Sequence, residues 1–311
     1  MPAGVSSAQM AWVEDRLLWI FGSSRSGSTW LLRMLSDLHS VVPVDDPHLG
    51  HHLGVWRPLP LAWAAAEERP ELTTLLELKR EEPGYFFAER HRDAWWEPLR
   101  ELLRLRFEAQ ARDLPGGPAA ATHYAVKEPG SQVAGLCLDL FPQSKLVFLL
   151  RDGRDVVASW LDAYSRGSWA IEGGAFPVAP AGRLPLIRWL SSVWTYRTRE
   201  VERAFASRAP DQRLLLRYER LRDEAAAGLG EVAALLRVEA PAEEIEAIAS
   251  RHAFERVPQS SRGKGREIRQ ARPGSWREDF SATEIAAMHE EMGEVLAKFG
   301  YQVEEPLRAT A

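Results

Sequence analysis

Twice in this chain of 311 residues an apolar run stops at a turn of small or charged residues and restarts as a helix. The first case is Arg16–Gly22 (RLLWIFG), then a serine- and glycine-rich turn, then a helical stretch Ser28–Leu38 with Leu31, Leu32, Leu35 and Leu38 on one side. The second is Lys145–Leu150 (KLVFLL), the turn RDGRD, and a helix from Asp155 to about Tyr164. Short apolar runs without polar alternation read as strands covered on both faces, the habit of parallel sheets. Strands joined by helical crossovers restrict the chain to an α/β fold, and ligands of such sheets gather beyond the carboxyl ends of the strands.

Further strands are expected at Tyr124–Lys127 and Arg213–Arg217, with helices at Gln132–Leu140, Ala225–Leu236, Ala242–Arg251 and Ala282–Phe299. The predicted fold class is α/β, a mainly parallel central sheet flanked by helices. Residues 1–311 read as a single domain with two interruptions. One, about 41–122, carries prolines, tryptophans and a helix over Trp95–Ala111; the other, about 165–185, is glycine- and proline-rich and is expected to be a mobile loop over the site. The ends, Met1–Gln9 and Pro306–Ala311, are expected to fray. With 45% hydrophobic and 27% charged residues the chain is globular rather than disordered. A net charge of −5 argues against a nucleic-acid partner, so an anionic ligand needs a local basic cluster. The one cysteine, Cys137, forms no internal disulfide and reads as a buried small hydrophobe. No apolar run is long enough for a signal core or a membrane span, which implies a cytoplasmic protein.

The turn after the first strand suits anion binding. Glycines let backbone N–H groups converge, the helix start adds unpaired donors, Ser26, Ser28 and Thr29 add hydroxyls, and Arg25 adds a guanidinium. Gly22 and Gly27 have the spacing of a P-loop with Thr29 at the hydroxyl position, but Ser28 stands where the triphosphate-binding lysine would be. That argues against ATP or GTP while leaving phosphate open. Arg25-Ser26-Gly27-Ser28-Thr29-Trp30 resembles the phosphosulfate loop of sulfotransferases that use 3′-phosphoadenosine 5′-phosphosulfate (PAPS). The resemblance implies that Arg25 to Thr29 hold the 5′-phosphosulfate and that Trp30 touches the adenine. It also implies sulfonate transfer without a metal, releasing 3′-phosphoadenosine 5′-phosphate (PAP).

The same resemblance covers Arg151 and Ser159, eight positions apart, as ligands of the 3′-phosphate. Asp152 also reads as a possible Walker-type aspartate, Asp155 as a carboxylate favoured by the helix dipole, and Arg154 as a surface residue without a role. Two anion loops in this order fit a nucleotide phosphorylated at both its 3′ and 5′ positions. A third basic stretch, Ser261–Arg266, precedes Trp276-Arg277 and is similar to the loop with which the family closes the nucleotide site. By that likeness Arg262, Gly263 and Lys264 join the 3′-phosphate, and Tyr218 matches a tyrosine near the adenine.

An in-line transfer needs a base on the acceptor side. Asp46 lies nineteen residues past Gly27, where carbohydrate and protein-tyrosine sulfotransferases carry a glutamate, one methylene longer. Lys127-Glu128-Pro129 is the rival, because cytosolic sulfotransferases place a Lys-Thr-His segment there; Lys127 keeps the lysine, and Pro129 replaces the histidine. Asp46 ranks first as base, Glu128 second and His48 third. His48, His51 and His52 lack the spacing of a helical zinc motif, so no metal is assigned. Trp56, Trp63, Trp95, Trp96 and Trp169 suit a small-molecule, lipid or carbohydrate acceptor, or simple packing. The competing functions are a P-loop kinase or hydrolase and a non-catalytic nucleotide-binding protein.

Overall fold

The structure, a computed structural model, describes residues 14–57, 69–114, 122–172, 182–266, 268–269 and 271–303. Trp63 and the two chain ends expected to fray lie outside the described residues. The strands are β1 (Leu17–Phe21), β2 (Val41–Asp45), β3 (Trp56–Arg57), β4 (Thr73–Thr74), β5 (His123–Lys127), β6 (Lys145–Leu150) and β7 (Arg213–Arg217). The helices begin with α1 (Ser28–Ser36), α2 (Leu49–Leu53), α3 (Leu75–Lys79), α4 (Arg92–Gln110), α5 (Ala134–Leu140), α6 (Gly153–Ala163) and α7 (Trp169–Glu172). They continue with α8 (Arg183–Ala206), α9 (Tyr218–Asp223), α10 (Ala225–Leu236), α11 (Ala242–Arg251), α12 (Trp276–Asp279) and α13 (Ala282–Lys298). Two compact units result: Met1–Arg57 with Thr73–Leu150 and Glu200–Ala253, and Pro58–Leu72 with Arg151–Arg199 and Phe254–Ala311.

The first unit holds a parallel five-stranded sheet in the order β2-β5-β1-β6-β7. Every side chain of β1 and β6 is buried, as their unbroken apolar runs require. Alternation along β1 divides its side chains between two layers. Leu18 and Ile20 join Leu31 and Leu35 of α1, Leu229 and Val232 of α10 and Ile248 of α11. Trp19 meets Phe107 of α4 edge-on at 5.8 Å and stacks on Phe21 at 5.6 Å, with Phe141 behind at 6.2 Å. Each large side chain buried this way contributes roughly 1.5–3 kcal/mol.

The segment from Val41 does not leave the sheet as expected: Val41–Asp45 pairs with β5 as the edge strand β2. Pro43 hides that strand from sequence reading, and an edge is where a strand tolerates a missing N–H. Helix α4 begins three residues earlier than expected and brings Phe107 under β1.

The second unit is helical. A 24-residue helix, α8, begins at Arg183 inside the expected loop, whose residues 173–181 lie outside those described. Its basic face meets α13 through Arg183–Glu284 (2.7 Å), Arg188–Glu290 (2.5 Å) and Arg199–Glu294 (2.8 Å). Arg154 is not a surface residue: it is 2% exposed. Its Nε and Nη2 donate to Asp152 at 3.0 and 2.8 Å, its Nη1 donates to the carbonyl of Gln302 at 2.8 Å, and its guanidinium lies 4.0 Å over the Trp276 ring. Asp152 also caps α6 through the Arg154 amide at 3.0 Å, and these structural bonds replace the Walker-type reading of that carboxylate. Among the described residues no helix is long and apolar enough to cross a membrane.

Phe107 is fully buried in the aromatic layer, so Phe107→Ala is expected to cost about 3–5 kcal/mol. Chemical denaturation checks it, and a loss below the cost of one buried methylene would contradict this packing.

Candidate active site

The turn after β1, expected to bind an anion, bends through left-handed backbone at two of its residues. Gly27, at the start of α1, takes φ +92°, where a Cβ would also lie 2.6 Å from the Tyr218 ring. Only glycine lets that ring cover the loop. Arg25 takes φ 73°, a conformation costly for a side-chain-bearing residue. Ser26 is 1% exposed, and among the described residues its Oγ has no hydrogen-bond partner and no side chain caps the start of α1. A buried, unpartnered hydroxyl beside an uncapped helix start suits a phosphate or sulfate oxygen. Ser131, which sequence reading passed over, anchors the loop's first residue: its Oγ donates to the carbonyl of Gly22 and accepts the Gly22 N–H at 3.3 Å.

Lys127, at the end of β5, joins this loop to the acidic turn. It is 5% exposed, and its Nζ lies 2.8 Å from the Thr29 hydroxyl, 2.7 Å from Asp45 and 2.9 Å from Asp46. A buried ammonium needs partners of this kind. Asp46 and His48 both adopt left-handed backbone, at φ 47° and 56°. The His48 ring lies 5.2 Å from that of His51. The Asp46 side chain keeps 39% of its surface exposed.

Glu128 turns the other way. It is 1% exposed, and its carboxylate accepts the N–H groups of Leu49 (2.7 Å), Gly50 (3.2 Å) and Gly130 (2.6 Å). Burial raises its pKa, and the three N–H donors offset only part of that rise. Trp30 donates its indole N–H to the His252 carbonyl at 2.9 Å and packs partly against the core of the first unit.

In the second unit Asp155, Ser159 and Asp162 fall at i, i+4 and i+7 of α6, on one stripe. Asp155 accepts the Gly274 N–H at 2.7 Å, the Trp276 N–H at 3.0 Å and the Ser275 hydroxyl at 3.2 Å. Its role is thus a tether to a distant segment in addition to its place in the first turn of α6. Burial raises its pKa, while Arg151 and these amides oppose the rise. Asp162 accepts the Gly265 N–H at 2.8 Å. The two carboxylates therefore draw Gly265 and Gly274–Trp276 along the helix face that bears Ser159.

The basic loop is a closed turn. The Gly263 N–H donates to the carbonyls of Ile268 and Arg269, each at 2.9 Å, and Arg262 reaches the Phe254 carbonyl at 3.4 Å. Lys264 is exposed. Sequence reading missed Asp162, and the i, i+7 spacing of two aspartates around Ser159 was the available signal. Trp95 and Trp96 pack in an edge-to-face series with Phe87, centroids 5.4 and 5.5 Å apart, and Arg92 lies 3.8 Å over Trp96.

A parallel sheet whose central strand runs into an uncapped, glycine-bent loop defines an α/β fold of the kind that gathers ligands beyond the carboxyl ends of its strands. Within that class the chain belongs to the sulfotransferase family, whose model matches residues 18–242. Mouse sulfotransferase SULT7A1, solved in complex with PAP, is similar in structure at 12% identity and a TM-score of 0.54, covering 91% of this chain and 85% of that one. Sulfotransferase STF9 from Mycobacterium avium is similar at 16% identity and a TM-score of 0.50, covering 93% and 78%. Likeness at such identities is one of fold. No curated protein sequence matches the chain.

Because the Tyr218 ring occupies the space a Cβ on Gly27 would need, Gly27→Ala and Tyr218→Ala are expected to be non-additive, the double variant less destabilised than the sum by about 0.5–3 kcal/mol. Thermal unfolding of the three variants measures this, and strict additivity would contradict the contact.

Proposed function

We propose that this chain transfers the sulfonate of PAPS to an acceptor hydroxyl or amine with Asp46 as the base. PAPS supplies an activated sulfur: the acceptor's bond to sulfur forms as the bond from sulfur to the phosphate oxygen breaks. The observation that carries the reading is Lys127, whose Nζ reaches the Thr29 hydroxyl of the anion loop at 2.8 Å and Asp46 at 2.9 Å. One ammonium thus stands between the group that receives an anion and a carboxylate able to take a proton.

Arg25, Ser26, Gly27, Ser28 and Thr29 hold the 5′-phosphosulfate in this reading. The buried, unpartnered Ser26 Oγ is the observation that fits them to it. Arg151, Ser159, Arg262, Gly263 and Lys264 take the 3′-phosphate, and Tyr218 and Trp30 border the adenine. Asp46 accepts the acceptor's proton, and Lys127 and Thr29 donate toward oxygens on which charge builds. Glu128 is the weaker candidate base, because both its oxygens already accept backbone N–H groups and it is 1% exposed. His48, exposed in the same turn, remains third. The acceptor is a small molecule, lipid or carbohydrate met in the cytoplasm, with the aromatic series around Trp95 and Trp96 suited to an apolar or sugar face.

Thermal shift with PAP against ATP plus magnesium tests the nucleotide, and preference for ATP would reject the proposal in favour of a P-loop kinase or hydrolase. Arg151→Ala is expected to weaken PAP binding by about tenfold to a hundredfold, the loss of one charge-assisted contact. Labelled sulfonate transfer from PAPS to a panel of phenols, sugars, lipids and steroids reads turnover. There Asp46→Asn is expected to lose about a hundredfold or more while still binding PAP. Full activity in Asp46→Asn would move the base elsewhere, and PAP binding without transfer to any panel member would favour a non-catalytic nucleotide-binding protein.

A further inference from the structure

The five residues after Lys127 contact the two catalytic loops in opposite directions. The Glu128 carboxylate accepts the N–H groups of Leu49 at 2.7 Å and Gly50 at 3.2 Å, the first two residues of α2. At the other end of that turn, Gln132 Nε2 donates to the carbonyls of Gly50 at 3.1 Å and Gly54 at 3.0 Å. Between these contacts the backbones of Gly50 and Gly130 meet so closely that a Cβ on Gly50 would lie 2.4 Å from the Gly130 Cα. Ser131 faces away from α2 and bonds both the N–H and the carbonyl of Gly22, where the anion loop starts.

Upstream, the Lys127 carbonyl accepts the Asp46 N–H at 3.2 Å. The stretch from Asp46 to Leu49 is therefore tied at both ends by consecutive residues, Lys127 and Glu128. Inside it Asp46 and His48 are held at φ 47° and 56°, conformations that persist only where the surroundings impose them. A buried carboxylate with three backbone donors supplies that constraint.

We propose that Glu128–Gln132 form a bracket that sets Asp46 against the anion loop, with Glu128 a positioning residue rather than the base. The proposal rests on the reading of Asp46 as the proton acceptor. Glu128→Gln keeps the volume but turns one acceptor of backbone N–H groups into a donor.

The test measures sulfonate transfer from labelled PAPS to the acceptor panel, together with hydrogen exchange at the Leu49 and Gly50 amides. In Glu128→Gln, kcat is expected to fall about tenfold to a hundredfold, as for a displaced catalytic group, with KM for PAPS held within about twofold. The pH–rate profile keeps its shape, Leu49 and Gly50 exchange faster, and Glu128→Asp recovers part of the rate. Unchanged kcat, or loss of the acid limb of the profile in Glu128→Gln, overturns the proposal; the second result would make Glu128 the base. Should Glu128→Gln not fold, Gln132→Ala carries the same two readouts in the same direction. Wild-type protein that transfers to no panel member counts against the proposed function alone. Exchange then decides the bracket, and unchanged protection of Leu49 and Gly50 in Glu128→Gln overturns it.

Discussion

A buried ammonium organises the first unit. Lys127 sits at the end of β5, nearly removed from water, and such a charge persists only with close anionic or hydroxyl partners. Its three partners come from separate places in the sequence: Thr29 from the anion loop, Asp45 from the last residue of an edge strand, and Asp46 from the turn beyond. Satisfying the lysine brings the carboxyl ends of β1, β2 and β5 to one cluster of groups. The left-handed backbone at Arg25 and Asp46 flanks this cluster, and the lysine's contacts offset part of that strain.

The second unit solves a different electrostatic problem. Its segment from Arg262 to Arg277 is rich in arginine, and an unrestrained cationic loop would extend into water. Asp155 holds it by the backbone amides of Gly274 and Trp276, and Asp162 by the Gly265 amide, with the Arg269 guanidinium 4.0 Å away. Arg269 and Arg272 are taken by Asp279 and Glu278 in turn. The tethers hold Gly265, Gly274 and Trp276 and, among the described residues, leave Arg262 and Lys264 without a carboxylate partner. A protein of net charge −5 can in this way keep a locally cationic surface.

How much of this was legible depended on the range of the signal. β1, β6 and β7 and the helices α1, α6 and α10 follow from apolar runs that need only neighbouring residues, and they fall close to where periodicity places them, whereas the short α9 directly after β7 was not expected. β2 was obscured by Pro43, which argues against a central strand but not an edge one. α8 carries apolar residues at Ile187, Leu190, Val193, Trp194 and Val201 with helical spacing, yet no helix was expected there, because the glycine- and proline-rich stretch before it drew the reading toward a loop. Arg25 and Ser159 were singled out because motif residues sit at fixed spacing. Ser131 and Asp162 were missed because their partners lie 109 and 103 residues away, and Arg154 was misread because, beyond nearby Asp152, it is held by the Gln302 carbonyl 148 residues away; no local pattern marks such a pair.

The placement of the base illustrates why one segment cannot serve two purposes. Where the cytosolic enzymes carry a histidine two residues after the lysine, this chain has Pro129 and then Gly130, whose backbone is pressed against Gly50. Neither residue can carry a base, and the neighbouring Glu128 carboxylate is turned inward onto α2. Once these residues hold the acidic turn, the proton acceptor in the proposed reading must come from the turn itself. Asp46 has a shorter side chain than glutamate, and the turn answers this by bending its backbone rather than by reach: its N–H is tied to the Lys127 carbonyl and its carboxylate to the Lys127 ammonium. Both ends of Asp46 then refer to one residue of a buried strand, which fixes the carboxylate's direction more tightly than a longer, freely rotating side chain would.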